Sequence, residues 1–226
     1  MNLSDFNLLL TLALLVGGAY FGERYAHCYI ARVGRGAPVN TATALSCAVE
    51  LASSKVGFRW SLHGSTVGLL LGLAIAVLGQ NSAMQQWLLV FLLPALTALW
   101  RIDRHLYLLP DALVACVAVL GGAYAYSQAL LGAHVLVAVA VYVVLQGVCW
   151  LYEALTGRAS MGAGDTKLIA ALMLWLGLQW LLLFLGLAAV IVLAMNWRRL
   201  TSAPVVPFGP PLLFAAVVLL AVQAWA

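Results

Sequence analysis

Met161-Gly-Ala-Gly-Asp-Thr-Lys167 sets two ionisable side chains, Asp165 and Lys167, at the start of a strongly apolar run. A charge in the middle of a membrane helix costs about 2.5–3.5 kcal/mol on insertion scales, so such a residue is a candidate for function. The whole chain of 226 residues is 65% hydrophobic and 8% charged, with a mean hydropathy of +1.05. A soluble domain carries about 25% charged residues. We therefore interpret the chain as an integral membrane protein.

The apolar runs predict an all-α fold, a polytopic transmembrane helical bundle of about eight spans. They are long and continuous, whereas the strands of a membrane barrel alternate apolar and polar residues. The predicted spans are Asn7 to Phe21, Ser65 to Gly79, Gln86 to Trp100, Ala112 to Tyr126, His134 to Tyr152, Thr166 to Gly177, Trp180 to Trp197 and Pro211 to Trp225.

The basic residues predict the orientation of these spans. All eleven Lys and Arg residues follow the first, third, fifth or seventh span, and therefore fall on one side of an eight-span arrangement. Basic residues in short loops accumulate in the cytoplasm, so this side is predicted to be cytoplasmic and both termini lie outside it. The net charge of +4 is explained by this bias and by anionic lipid headgroups, without nucleic-acid binding.

Two regions are predicted. Residues 1–64 form the first span plus a short basic cytoplasmic loop, and residues 65–226 form a transmembrane core. Met1 to Asp5 carries no basic residue, so the first apolar run is interpreted as a retained span and not as a signal peptide. Within the loop, Thr41 to Leu62 is either an amphipathic helix in the membrane interface or part of a solvated linker.

Two carboxylates stand out among seven acidic residues, Asp103 after the third span and Asp165 at the start of the sixth. Two facing carboxyl groups in a partly dry site share one proton. One can then activate water while the other protonates a scissile carbonyl, which hydrolyses a peptide bond without metal or covalent nucleophile. Gly162 and Gly164 would permit unusual backbone angles and let an extended substrate approach closely.

Each acid also has a purely structural interpretation. Asp103 lies between Arg101 and Arg104 and could form an interfacial ion pair. Asp165 suits an N-cap of the sixth helix, and Asp111, which follows a proline, suits a cap of the fourth.

Three separated motifs resemble those of the prepilin peptidases, the bacterial GxGD-type membrane aspartic proteases also called A24 peptidases. Ile102-Asp103 with Leu109-Pro110-Asp111 is similar to the family's first catalytic segment. Met161-Gly-Ala-Gly-Asp-Thr-Lys167 is similar to the second, and Val206-Pro-Phe-Gly-Pro210 to the turn before the last helix. The resemblance covers Ser65 to the C-terminus well and the first sixty residues poorly.

The resemblance implies a function and a site. Asp103 and Asp165 would be the catalytic dyad of a type IV prepilin leader peptidase in the bacterial inner membrane, near its cytoplasmic face. Lys167 would favour an ionised partner, or would serve orientation and snorkelling; Gly162, Gly164, Pro110 and Asp111 would support the site. The substrate would be a type IV prepilin or a pseudopilin of type II secretion, cleaved after a basic leader. No cofactor and no metal are implied.

The cysteines depart from the family pattern. Bifunctional members carry two Cys-x-x-Cys pairs in the first cytoplasmic loop and also methylate the new N-terminus. Here Cys28 and Cys47 stand alone, while Cys116 and Cys149 lie in predicted spans. Such spacing does not predict a structural zinc site, so N-methyltransferase activity is doubtful and the chain is interpreted as a short form.

Two alternative functions stay open. The chain could be a GxGD protease for another membrane substrate, such as a preflagellin or a signal-peptide remnant. It could instead be a small transporter in which Asp103 and Asp165 relay protons, although acids nearer the midplane and broken-helix repeats would then be expected. The oligomeric state is left open.

Overall fold

The computed structural model describes residues 3–34, 74, 82–157, 161–196 and 208–225. Within these ranges the chain is helical and has no strand, so the all-α prediction is confirmed there. A short 3-10 turn, Leu178–Trp180, joins the fifth helix to the sixth. In chain order the α-helices are α1 (Leu3–Val33), α2 (Ala83–Leu106), α3 (Asp111–Ser127), α4 (Leu131–Thr156), α5 (Ala163–Leu176), α6 (Leu181–Asn196) and α7 (Gly209–Gln223).

Each predicted span within the described ranges overlaps one of these helices, but α1 continues beyond the predicted end at Phe21 to Val33, so the first part of the predicted basic loop is helical. The second predicted span, Ser65 to Gly79, lies outside the described residues except for Ala74. By length and composition, α2 and α4 can cross a membrane, and the bent pair of α5 and α6 would be a third crossing if it is one span. This supports a helical membrane protein, and the number eight stays a prediction.

The chain divides into two compact units, one of residues 1–107 with 221–226 and one of residues 108–220. Each unit is described by itself. The boundary predicted between residues 64 and 65 lies outside the described residues.

In the first unit, α1 packs closely on α2 through small residues. Gly18 and Gly22 are one turn apart on α1 and face Pro94 and Thr97 of α2. A Cβ at Gly22 would overlap the Thr97 hydroxyl and the Pro94 carbonyl. Glycines at this spacing let the backbones of membrane helices approach closely. This crossing holds the middle of α1 against α2, the helix that carries Asp103 in its last turn.

In the second unit, α5 packs against α3 around a buried tryptophan. The Trp175 indole N–H donates to the Val117 carbonyl at 3.0 Å, and its ring stacks on Tyr124 with the centroids 5.0 Å apart. Gly121 makes room, because a Cβ there would lie 2.6 Å from Trp175 Nε1. A buried indole N–H needs such a partner, so the carbonyl fixes the rotation of α5 relative to α3.

The chain bends by 116° between α5 and the segment that follows. Gly177 makes the bend with φ 73° and ψ 178°, a conformation essentially restricted to glycine. His134 of α4 lies beside it, with Nδ1 2.9 Å from the Leu174 carbonyl oxygen. The imidazole thereby provides a partner for one of the carbonyls that the end of α5 leaves without a helical donor.

Candidate active site

Asp103 lies in the last turn of α2 and is 5% exposed. The helix ends at Tyr107, which has a left-handed conformation with φ 53°, and its N–H donates to the Asp103 carbonyl at 2.9 Å. A non-glycine residue in this region is uncommon. The tight ending keeps the Asp103 side chain on a regular helix, one turn before the chain leaves it.

Arg101, one of the two arginines that flank Asp103, forms its ion pair with a different acid. Arg101 Nη1 lies 3.4 Å from Oε1 of Glu23 in α1. The guanidinium therefore crosses to the neighbouring helix, and residues two apart on one helix do not face each other. Sequence reasoning did not single out Glu23. The available signal was a rare acidic residue directly after Gly18-x-x-x-Gly22.

Asp111 is the first residue of α3 and does not cap it. The N-cap is Pro110, which has no side-chain capping bond, and its carbonyl accepts the N–H groups of Leu113 and Val114. The cap suggested for Asp111 is therefore wrong. Proline has no N–H to lose at a helix start, and Asp111 adds a negative charge where the helix dipole favours one.

Asp165 is the third residue of α5, and Gly162 is the N-cap. The Asp165 N–H donates to the Gly162 carbonyl at 3.0 Å. The N-cap position suggested for Asp165 is therefore wrong, because the N-cap lies three residues earlier, at Gly162. In the first turn, the helix dipole favours a negative charge on this carboxyl group.

Gly162 and Gly164 let neighbouring groups approach closely, and neither has an unusual backbone conformation. Gly162 has φ −59° and ψ 137°, and Gly164 lies within α5 without a positive φ. A Cβ on Gly162 would lie 3.4 Å from Asp165 Oδ2, and one on Gly164 would lie 3.0 Å from the Leu109 Cβ. Gly164 thus lets the start of α5 rest on the residue before Pro110.

Lys167 pairs with Asp111 and joins the starts of α3 and α5. Lys167 Nζ donates to Asp111 Oδ1 at 2.7 Å, and the two side chains are 40% and 74% exposed. Two of the five predicted supporting residues, one from each motif, therefore contact each other. Lys167 and Asp165 are two residues apart and point to different sides of α5.

An open apolar groove of 420 Å³ lies between α3, α4 and α5. The Lys167–Asp111 pair and Tyr142 border it. The wall is built mostly of alanine and valine side chains: Val114, Ala115, Ala118, Ala138, Val139, Ala170, Ala171 and Leu174.

The third motif opens the last helix. α7 begins at Gly209, and the Leu212 N–H bonds the Phe208 carbonyl at 3.3 Å. Most of the following helix is buried. Val206 and Pro207 lie outside the described residues.

The predicted dyad joins Asp103 of the first unit to Asp165 of the second, and it stays a prediction. In the part of the chain that the structure describes, no group of three or more His, Cys, Asp or Glu residues could hold a metal ion. Cys47, His63 and the Thr41 to Leu62 segment lie outside that part.

Comparison with known proteins identifies relatives over most of the chain. A profile of the Type IV leader peptidase family matches residues 89–196. The chain is 33% identical over 198 residues to a prepilin leader peptidase/N-methyltransferase of Burkholderia pseudomallei, with 81% of this chain and 62% of the relative covered. A protein of the same name from Aeromonas hydrophila is 36% identical over 132 residues, covering 53% of this chain and 44% of the relative.

A third protein of this name, from Stutzerimonas stutzeri, is aligned with this chain over a greater length than these two. It is 31% identical over 211 residues, which covers 88% of this chain and 71% of the relative. The chain spans 62% of the length of the Burkholderia protein and less of the Aeromonas one. No solved structure matches significantly. By this extent of identity and by the matched profile, the chain belongs to the Type IV leader peptidase family.

Proposed function

We propose that this protein is a membrane aspartic endopeptidase that removes the basic leader of type IV prepilins or pseudopilins, with Asp103 and Asp165 as its catalytic dyad. One observation carries the proposal. Both acids lie within residues 89–196, the segment that the family profile matches, and each lies within one turn of the end of an apolar helix. Relatives over this segment are named prepilin leader peptidases.

The chemistry needs only water and two carboxyl groups that share one proton. The ionised carboxylate takes a proton from water while the water oxygen attacks the scissile carbonyl carbon, and the protonated partner gives its proton to the carbonyl oxygen. The C–N bond then breaks. The amine receives a proton from the first acid, a hydroxyl proton of the intermediate returns to the second, and the dyad regains its starting state.

The burial of Asp103 supports a role as the group that can hold the proton, because removal from water disfavours a carboxylate. Asp165, in the first turn of α5, is supported as the ionised member, because the helix N-terminus favours negative charge. In this assignment Asp165 activates water and Asp103 protonates the carbonyl.

The proposed setting is the bacterial inner membrane, with about eight spans and the acids near the cytoplasmic face. The one-sided distribution of Lys and Arg supports this orientation. An apolar pilin helix can then remain in lipid while its extended basic leader reaches the dyad. The type IV pilus and type II secretion systems are the sources of substrate.

The test compares acidic variants at equal membrane abundance, by the gel shift of a prepilin between precursor and processed form. Asp103→Asn and Asp165→Asn should abolish processing, because an amide preserves shape but cannot carry the shared proton. Asp111→Asn should be milder, and Glu153→Gln, an exposed acid in the last turn of α4, should process normally. Full processing by Asp103→Asn or by Asp165→Asn contradicts the mechanism.

A further inference from the structure

Glu23 and Arg101 form a largely buried ion pair between α1 and α2. Glu23 Oε1 lies 3.4 Å from Arg101 Nη1, and the side chains are 6% and 15% exposed. A buried pair of this kind gains little over apolar packing, but removal of one partner leaves an uncompensated charge and is costly. The pair therefore needs an explanation other than stability. The matched family profile begins at residue 89, so it includes Arg101 but not Glu23.

Arg101 shares α2 with Asp103 and is less exposed than Arg104, the other arginine beside that acid. The two residues are separated only by Ile102, and Asp103 is buried. Successive helical residues are rotated by about 100°, so a guanidinium that reaches α1 is directed away from the Asp103 carboxyl. A long arginine side chain could change direction if its partner on α1 were lost.

The other charged groups near this pair have separate surroundings. Arg24 bonds the Tyr20 hydroxyl with Nη2 at 2.7 Å, and its guanidinium carbon lies 5.1 Å from the Tyr20 ring centroid. Desolvation first, and then the Arg101 guanidinium, lower the pKa of the partly exposed His27. Arg104 and His105 are exposed on α2. Arg101 is thus the cation that Glu23 holds.

We propose that Glu23 is a positioning residue for Asp103: it holds the Arg101 guanidinium against α1 and keeps it from pairing with the Asp103 carboxyl group. The inference rests on the proposed function, in which Asp103 holds the shared proton. A guanidinium bound to Asp103 would fix it as a carboxylate and occupy the oxygens that must reach the scissile carbonyl. Glu23 acts through Arg101 and does not touch the substrate.

The test separates sequestration of Arg101 from a simple structural ion pair. Glu23→Gln releases the guanidinium and should lower kcat for prepilin cleavage by about tenfold or more, the scale expected for a disturbed general acid, with KM little changed. Arg101→Gln leaves no guanidinium to bind Asp103, so its kcat should stay within about threefold of wild type, less than 1 kcal/mol in barrier. The double variant should recover most of the activity that Glu23→Gln loses, and Glu23→Asp should retain most of it.

If the ion pair of Glu23 and Arg101 only stabilised the fold, the variants would give a different result. Glu23→Gln and Arg101→Gln would then be equally harmful, or the double variant would be no better than Glu23→Gln, and either result overturns the inference. If Glu23→Gln does not accumulate in membranes, Glu23→Asp and Arg101→Gln carry the comparison, and an inactive but folded Arg101→Gln overturns it as well. Asp103→Asn in the same assay separates the two proposals. Full activity of Asp103→Asn refutes the proposed function, whereas its inactivity beside equal Glu23 and Arg101 effects refutes only the role of Glu23.

Discussion

The ammonium group of Lys167 lies 2.7 Å from the carboxylate of Asp111, so the helix after the first acidic motif is joined to the helix that carries the second. The pair links residues 56 positions apart. Exchanging the two residues keeps the ion pair but reverses its direction. This exchange separates the role of the contact in orienting the helices from the role of the Lys167 charge.

We expect Lys167→Met and Asp111→Asn each to lower prepilin cleavage no more than a few-fold. Both side chains are exposed, and exposed ion pairs contribute little to stability. The reversed pair, Lys167→Asp with Asp111→Lys, should recover activity if the contact orients α5. Cleavage rates of the three variants at equal abundance measure this. A reversed pair that is worse than both single variants would show that Lys167 acts by its charge and not by this contact.

Gly22→Ala should destabilise the protein by about 1–3 kcal/mol, the usual cost of overpacking. The added Cβ would meet the Thr97 hydroxyl and the rigid Pro94 carbonyl. Gly17→Ala in the same helix is the matched control, because no heavy atom lies within 4 Å of its Cβ position. Thermal unfolding in detergent compares the two. Equal midpoints would mean that α1 does not approach α2 closely at Gly22.

Gly177→Ala should destabilise by about 1–3 kcal/mol, since alanine is strained at φ 73° and ψ 178°. The Cβ would also lie 3.0 Å from His134 Nε2. Gly186→Ala in α6 meets nothing within 4 Å and serves as the control. An unfolding midpoint for Gly177→Ala equal to that of Gly186→Ala would contradict the bend.

Reporter fusions test the proposed orientation. Fusions after Arg104 and Arg158 should report cytoplasm, and fusions at Ser82 and Leu130 should report the opposite face, because the basic residues all fall on one side. Opposite results for Arg104 and Arg158 would keep Asp103 and Asp165 on different faces. The dyad would then be excluded together with the topology.

The product of cleavage should carry a free N-terminus. Cys28 lies buried in α1, and Cys47 is the only other cysteine before residue 65, so the Cys-x-x-Cys pairs expected of bifunctional members are missing from this segment of the sequence. Mass spectrometry of a prepilin processed by the purified protein with S-adenosylmethionine measures this, and a bifunctional relative is the positive control. An N-methylated product would show that the short loop retains the second activity. Changing both cysteines to alanine should leave cleavage by the folded protein intact.

The helices were predictable because each contains a continuous apolar run, and this signal is local. The side-chain contacts around the candidate site were not predictable from the sequence. Glu23 and Arg101 are 78 positions apart. The residues around them in the sequence do not indicate which arginine pairs with which acid. Sequence spacing instead suggested that Arg101 could bind Asp103, the nearer acid.

Helix ends were the weakest part of the prediction, and they matter at both acids. Asp165 and Asp111 have the chemistry of N-caps, but each follows a residue that can begin the helix earlier, Gly162 and Pro110. Tyr107 takes the left-handed position at the end of α2 that sequence rules reserve for glycine. Where a helix ends depends on the direction that the next segment takes in the fold. The helix propensities of neighbouring residues carry no information about that direction.

The length of α5 has a consequence for the lipid that surrounds the protein. Fourteen residues extend about 21 Å, whereas the hydrocarbon layer of a typical bilayer is about 30 Å thick. If α5 starts at the membrane surface, as proposed, the bend at Gly177 would come short of the opposite surface, and the His134 ring would be the partner of the Leu174 carbonyl there in place of water. A protein built in this way fits a thin bilayer better than a thick one. We therefore expect prepilin cleavage by the reconstituted protein to become slower as the acyl chains of the vesicles are lengthened.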